Sequence, residues 1–211
     1  MKPSSLVPSV LLAFSVSLAS ASASAQSAPA LPAAPDLAKG QATAAVCSAC
    51  HAADGSRGSP ANPIIQGQHP EYLVKQLREF KAGKRQNPIM QGIAASLSDD
   101  DMKNVAAFYA SKQPKPGFAR NKDLATAGLR AYKGGIADRQ IPACTGCHGP
   151  SGGGIPAQYP KLAGQHADYT EAQLLAFRGE TRKNNAVMTA VAAKLNDREI
   201  KALADYLAGL R

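Results

Sequence analysis

The sequence predicts an all-α protein made of two tandem helical domains, and three observations carry that reading. A five-residue pattern, C-x-x-C-H, occurs twice, as Cys47-Ser48-Ala49-Cys50-His51 and Cys144-Thr145-Gly146-Cys147-His148. Side chains recur at helical spacing, as in Tyr72, Leu73, Gln76, Leu77 and Phe80. The two halves also repeat in phase. Cys47 and Cys144, His51 and His148, His69 and His166, Tyr72 and Tyr169, Gln76 and Gln173, and Phe80 and Phe177 all lie 97 positions apart. Met90 and Met188, Leu97 and Leu195, and Asp99 and Asp197 lie 98 apart, so one residue is inserted between Phe177 and Met188. A constant offset held over so long a stretch marks a duplicated domain.

C-x-x-C-H is the attachment signature of a c-type haem. Two thiols three positions apart on one turn each form a thioether with a haem vinyl group, and the next residue offers its imidazole to the iron. The two copies use all four cysteines of the chain, which leaves no thiol for a disulfide or a separate metal site. A thioredoxin-like pair would not need the histidine, and a zinc site would need a second ligand pair at a matching spacing. Two covalent haem c groups are therefore expected, attached through Cys47, Cys50, Cys144 and Cys147, with His51 and His148 as proximal ligands.

Taken in order, residues 1–25 combine a basic start at Lys2, a short apolar run through Phe14 and an Ala23-Ser24-Ala25 end. That is the pattern of a secretory signal peptide cleaved before Gln26. The apolar run is too short to span a bilayer. Export agrees with the haem reading, because c-type attachment in Gram-negative bacteria takes place outside the cytoplasm. A Pro/Ala-rich lead-in follows over residues 26–35.

The first domain is expected over residues 26–115. Asp36 can cap a helix from Leu37 to about Val46, which delivers Cys47 at its end. The Gly/Pro/Ser-dense stretch after His51 reads as loop. Helices follow over Glu71–Lys81, with Gly83 just past the end, and after the Ser98-Asp99-Asp100-Asp101 cap. Two prolines and a glycine in Lys112-Gln-Pro-Lys-Pro-Gly117 stop that helix and mark a linker. The second domain, residues 116–211, repeats the plan with helices near Leu124–Lys133, near Tyr169–Phe177 and from Asp197. Domains this small bury little surface unaided, and a covalent haem supplies an apolar body to pack around.

The repeat also singles out sixth ligands. Met90 and Met188 lie 39 and 40 residues after their haem histidines, in Asn87-Pro-Ile-Met90 and Asn185-Ala-Val-Met188. Each is expected in a short irregular stretch between two helices, from which a thioether can reach the distal face of a haem. Methionine also fills gaps in cores, and Met102, on the apolar stripe of its helix, fits that role. His/Met is the pairing used for electron transfer. His69 and His166 are the rival distal ligands, each following Gly-Gln and preceding a helix.

The formal net charge is +9, and without residues 1–25 it is +8 because only Lys2 is lost. Residues 26–117 carry ten Lys/Arg against seven Asp/Glu, and residues 118–211 thirteen against eight. The basic residues are interspersed with acids, and no dense Arg/Lys run with interleaved aromatics points to nucleic acid. A modest field of this sign suits solubility or the steering of an acidic redox partner.

Taken together, the paired C-x-x-C-H domains, Gly-Gln-His before a Tyr-led helix, Asn-x-x-Met, and Leu-Ser/Asn-Asp before the last helix resemble the dihaem cytochrome c4 family. The likeness runs from about Leu37 to Leu210. It implies two class I cytochrome c domains related by a pseudo-twofold axis, each wrapped around a covalent haem, with the haems meeting near the domain interface. It implies Cys47, Cys50, His51 and Met90 as ligands of the first haem and Cys144, Cys147, His148 and Met188 as ligands of the second. The family carries electrons in the periplasm from the quinol-oxidising complex to terminal oxidases, often in loose association with the membrane, and is not enzymatic. One departure is Pro63-Ile-Ile-Gln-Gly67, where the second half has Pro160-Lys-Leu-Ala-Gly164. An alternative is the cytochrome subunit of a larger redox enzyme, such as a sulfide-oxidising flavocytochrome. A dihaem peroxidase or thiosulfate dehydrogenase would need an open or unusually ligated iron, against which the paired methionines argue.

Overall fold

Capping chemistry sets where most of the helices begin. The side chains of Asp36, Asn87, Ser98, Asn121, Asn185 and Asn196 each accept a backbone N–H in the first turn that follows. Ser98 with Asp101 and Asn196 with Glu199 close reciprocal capping boxes. A computed structural model of the chain describes residues 34–211; the leader expected over residues 1–25 lies outside the described residues.

The first half holds α1 (Leu37–Thr43), α2 (Ser48–His51), α3 (Pro70–Lys81), α4 (Pro88–Ala95) and α5 (Asp99–Ala110). The second holds α6 (Lys122–Gly134), α7 (Thr145–His148), α8 (Ala167–Arg178), α9 (Ala186–Ala192) and α10 (Asp197–Gly209). Short 3-10 turns follow α1 and α6, and the described residues contain only two isolated β-bridges. The all-α expectation holds. No helix among the described residues is long and apolar enough to cross a membrane.

Each half buries its own cluster. Ala44, Leu73, Val105, Ala106, Phe108 and Tyr109 form the first; Tyr132, Ile141, Leu195, Ile200, Leu203 and Leu207 form the second. In both, the N-terminal helix crosses the C-terminal one at a glycine. A Cβ on Gly40 would collide with the Asn104 carbonyl, and one on Gly128 with the Ala202 carbonyl. Backbones approach that closely only where no side chain intervenes.

These glycines lie 88 apart, whereas Cys47 and Cys144 lie 97 apart, so the second half has nine extra residues before its C-x-x-C-H. The added segment folds as a 3-10 turn, Ala137–Arg139, under a bridge between Ile136 and Ile141. The apolar Ile141 then joins the second core.

One expectation needs correction. Met90 and Met188 are not in irregular stretches; they sit in the first turns of α4 and α9. Asn87 Oδ1 accepts the Met90 N–H at 3.0 Å and Asn185 Oδ1 the Met188 N–H at 2.9 Å. Asn-x-x-Met is thus a helix cap with the methionine at the third helical position, and the capped helices are too short for a clear apolar period.

The linker is held down rather than free. Lys115 N–H donates to Gly55 O at 2.8 Å, and Arg57 Nη1 donates to Lys115 O at 3.2 Å and to Gly164 O of the second half at 2.9 Å.

Candidate haem site

The C-x-x-C-H segments fold as single helical turns. His51 N–H donates to Cys47 O at 2.9 Å, and His148 N–H to Cys144 O at 2.9 Å. One turn therefore gathers both thiols and the imidazole, as the spacing requires. No disulfide joins the four cysteines, and no cluster of three or more His, Cys, Asp or Glu among the described residues is placed to hold a metal ion.

Each imidazole is oriented from behind. His51 Nδ1 lies 2.9 Å from Pro63 O and His148 Nδ1 lies 3.0 Å from Pro160 O. A carbonyl oxygen only accepts, so Nδ1 carries the proton and Nε2 is left with a free lone pair. Burial pushes both imidazoles below the usual histidine range, with the carbonyl hydrogen bond opposing it in part. Neutral rings with a fixed tautomer suit metal ligation. His148 also packs edge-on against Tyr159, with ring centroids 5.8 Å apart.

A largely apolar cleft in the first half brings Cys47, Cys50, His51 and Met90 together. Ile65, Leu77, Phe80, Ile93 and Leu97 are among its walls, and Gln165 and Tyr169 of the second half complete it. The residues fit a covalently attached haem. Burial raises the Cys47 thiol, aided by Cys50, and pushes the Cys144 thiol up to about 11. Surroundings that disfavour a thiolate accommodate a neutral thioether without penalty. Tyr109, also on the cleft wall, has a buried hydroxyl with no protein hydrogen-bond partner, a polar atom available to a bound group.

His69 and His166 are engaged elsewhere. His69 Nε2 lies 2.8 Å from Gly153 O and His166 Nε2 lies 2.7 Å from Arg57 O, each in the opposite half. Beside them Gln68 and Gln165 pair with the backbone across the same boundary. The repeated Gly-Gln-His is thus a clasp between halves. The departure at Gln66 is local: its buried amide donates to Ala52 O and Ser56 O, knitting the first loop, where the second half has Ala163.

Sequence reasoning missed the polar network formed by Tyr72, Gln76 and Arg85 with Tyr169, Gln173 and Arg182. The signal was present. Gln76 and Gln173 sit on otherwise apolar helical stripes and recur at the same offset, as do Arg85 and Arg182.

The Cytochrome c family model matches this chain twice, over residues 37–112 and 137–211. Cytochrome c4 of Thiocapsa roseopersicina is 46% identical over 155 residues, covering 72% of this chain and 80% of that protein. A thiosulfate dehydrogenase electron acceptor of Stutzerimonas stutzeri is 44% identical over 153 residues, covering 70% of each. Reduced recombinant cytochrome c4 from Pseudomonas stutzeri superposes with a TM-score of 0.80 at 42% identity, covering 84% of this chain and all of that one (100%).

Proposed function

The chain belongs to the cytochrome c4 family as a dihaem electron-transfer protein, and on that premise we propose that it works in the periplasm, carrying electrons from a quinol-oxidising complex towards a terminal oxidase. Cys47 and Cys50 attach the first haem and Cys144 and Cys147 the second. His51 with Met90 would hold the first iron, and His148 with Met188 the second. Residues 26–115 and 116–211 are the two cytochrome domains, behind a cleaved leader of residues 1–25. The single observation that supports this reading most is the oriented imidazole and the methionine meeting in one apolar cleft behind the attachment turn.

When bound, each haem supplies a one-electron couple. The Pro63 and Pro160 carbonyls keep the two histidines in the tautomer whose Nε2 can donate to iron. The methionine thioether favours the ferrous state, and an apolar cleft that excludes water disfavours the added charge of the ferric state; both raise the potential. A histidine and a methionine together would hold each iron without leaving a position for substrate, which suits a carrier.

A second reading has a specific basis. The relative named as a thiosulfate dehydrogenase electron acceptor matches this chain almost as well as the cytochromes c4 do. The test is to purify the native protein with two haems and present it to membranes containing the quinol-oxidising complex and the oxidase, and separately to a thiosulfate dehydrogenase. Rapid quinol-driven reduction and oxidase-driven oxidation are expected. Reduction only by the thiosulfate enzyme would overturn the proposed route.

A further inference from the structure

Arg85 and Arg182 occupy equivalent places in the repeat and are both buried, at 8% exposure each. Each guanidinium lies over a phenylalanine of its own half, Arg85 at 4.6 Å from the Phe80 centroid and Arg182 at 4.4 Å from that of Phe177. Both then reach the same two amide oxygens. Arg85 donates to Gln76 Oε1 at 2.7 Å and to Gln173 Oε1 at 2.9 Å; Arg182 donates to Gln173 Oε1 at 2.8 Å and to Gln76 Oε1 at 3.2 Å. The Tyr169 hydroxyl accepts from Arg85 and the Tyr72 hydroxyl from Arg182.

Every one of these acceptors is neutral. Among the described residues neither guanidinium forms an ion pair, and Glu79, the one carboxylate in the network, is engaged by Lys75 and Asn184. Two like charges that share two acceptors repel, and burial deprives them of water's screening. Buried guanidinium groups ordinarily face an anion. Arg85 lines the first cleft, so its side chain borders the space where the cofactor belongs. A haem c carries two propionate carboxylates, which makes it an anion of the right kind.

We propose that Arg85 and Arg182 are the shared counter-charge for the propionates of the two haems, Arg85 serving the haem of the first half and Arg182, its equivalent in the repeat, that of the second. This rests on the haem assignment above. It makes the arginines positioning residues that also tune potential, since a positive charge near a haem disfavours its ferric state. Because Gln76 and Gln173 each bond both arginines, the loss of either charge is felt at both sites.

The test is redox titration of holoprotein carrying Arg85→Gln, Arg182→Gln and the two lysine substitutions. The glutamine variants should show both potentials shifted downward, and the lysine variants, which keep charge but lose the planar fork, should return most of the shift. Arg78→Gln, which removes a positive charge from an exposed pair with Asp99 outside the cleft, should leave the potentials near wild type. Wild-type potentials in the glutamine variants, or lysine variants that behave like glutamine ones, would overturn the proposal. If the glutamine variants do not fold, wild-type protein with ¹⁵N-labelled arginine serves instead. Its ferric-minus-ferrous infrared spectrum should contain label-shifted guanidinium bands, and their absence would overturn the proposal equally. Intact mass and the sulfur-to-iron band report the haem assignment separately, so the two failures are distinguishable.

Discussion

Gln68 and Lys161 exchange two hydrogen bonds across the boundary between the halves: Gln68 Nε2 donates to Lys161 O at 3.0 Å, and Lys161 N–H donates to Gln68 Oε1 at 2.9 Å. The repeat supplies the mirror image, with Gln165 donating to Ile64 O and accepting from Ile64 N–H, both at 2.9 Å. A side-chain amide here does the work of a backbone partner. Ile64 and Lys161 each follow the proline whose carbonyl orients His51 or His148, so the clasp also steadies both of the histidines proposed as proximal ligands.

Gln68→Leu should therefore strand the Lys161 N–H and C=O, at a cost of about 1–3 kcal/mol for each group that water cannot reach. Gln165→Leu should do the same at Ile64. Chemical denaturation of the holoprotein measures this, and unchanged midpoints in both variants would show that the clasp adds nothing to stability.

The helix crossings are a stricter test of packing. Gly40→Ala and Gly128→Ala each push a methyl into a facing backbone carbonyl and should destabilise by about 1–3 kcal/mol or more. Gly134, which has open space around its Cβ position, is the control; Gly134→Ala should be neutral or gain about 0.5–1 kcal/mol. Equal thermal midpoints for the three variants would contradict the described crossings.

Replacing Met90 or Met188 by alanine should remove about half of the sulfur-to-iron absorption and lower the potential of one haem. His69→Ala and His166→Ala should keep the band, since those rings bond carbonyls of the opposite half. A band that survives both methionine changes and weakens with the histidine ones would reverse the ligand assignment.

Acid should act through His51 and His148. Their Nε2 atoms are the ones proposed to hold iron and only an unprotonated Nε2 can do so, so below the ordinary histidine pKa of about 6.5 an unfolded chain that has released the ligand binds protons that the native one does not. Stability should then fall as pH drops below about 6.5 and be fully present above it. Denaturation measured between about pH 4 and 8 reads the slope, and stability that rises on acidification through that window would be inconsistent with buried neutral rings.

Much of this protein is legible in its sequence. The C-x-x-C-H pairs, the offset of 97 and the capping residues are local signals, and local chemistry decides helix starts and the two attachment turns whatever the surroundings. The sequence alone therefore determined an all-α duplicated chain with two haem attachment turns. The helices carrying Met90 and Met188 escaped because each depends on one asparagine cap and spans too few residues for a period to show. The roles of Gln68, His69, Arg57, Arg85 and Arg182 were beyond reach for a different reason. Their partners lie 84 to 110 positions away, and a side-chain amide or guanidinium carries no local mark of which distant oxygen it will meet. Only the packing of one half on the other brings those groups together, and that tertiary juxtaposition decides how the first-half cleft is closed, by Gln165 and Tyr169.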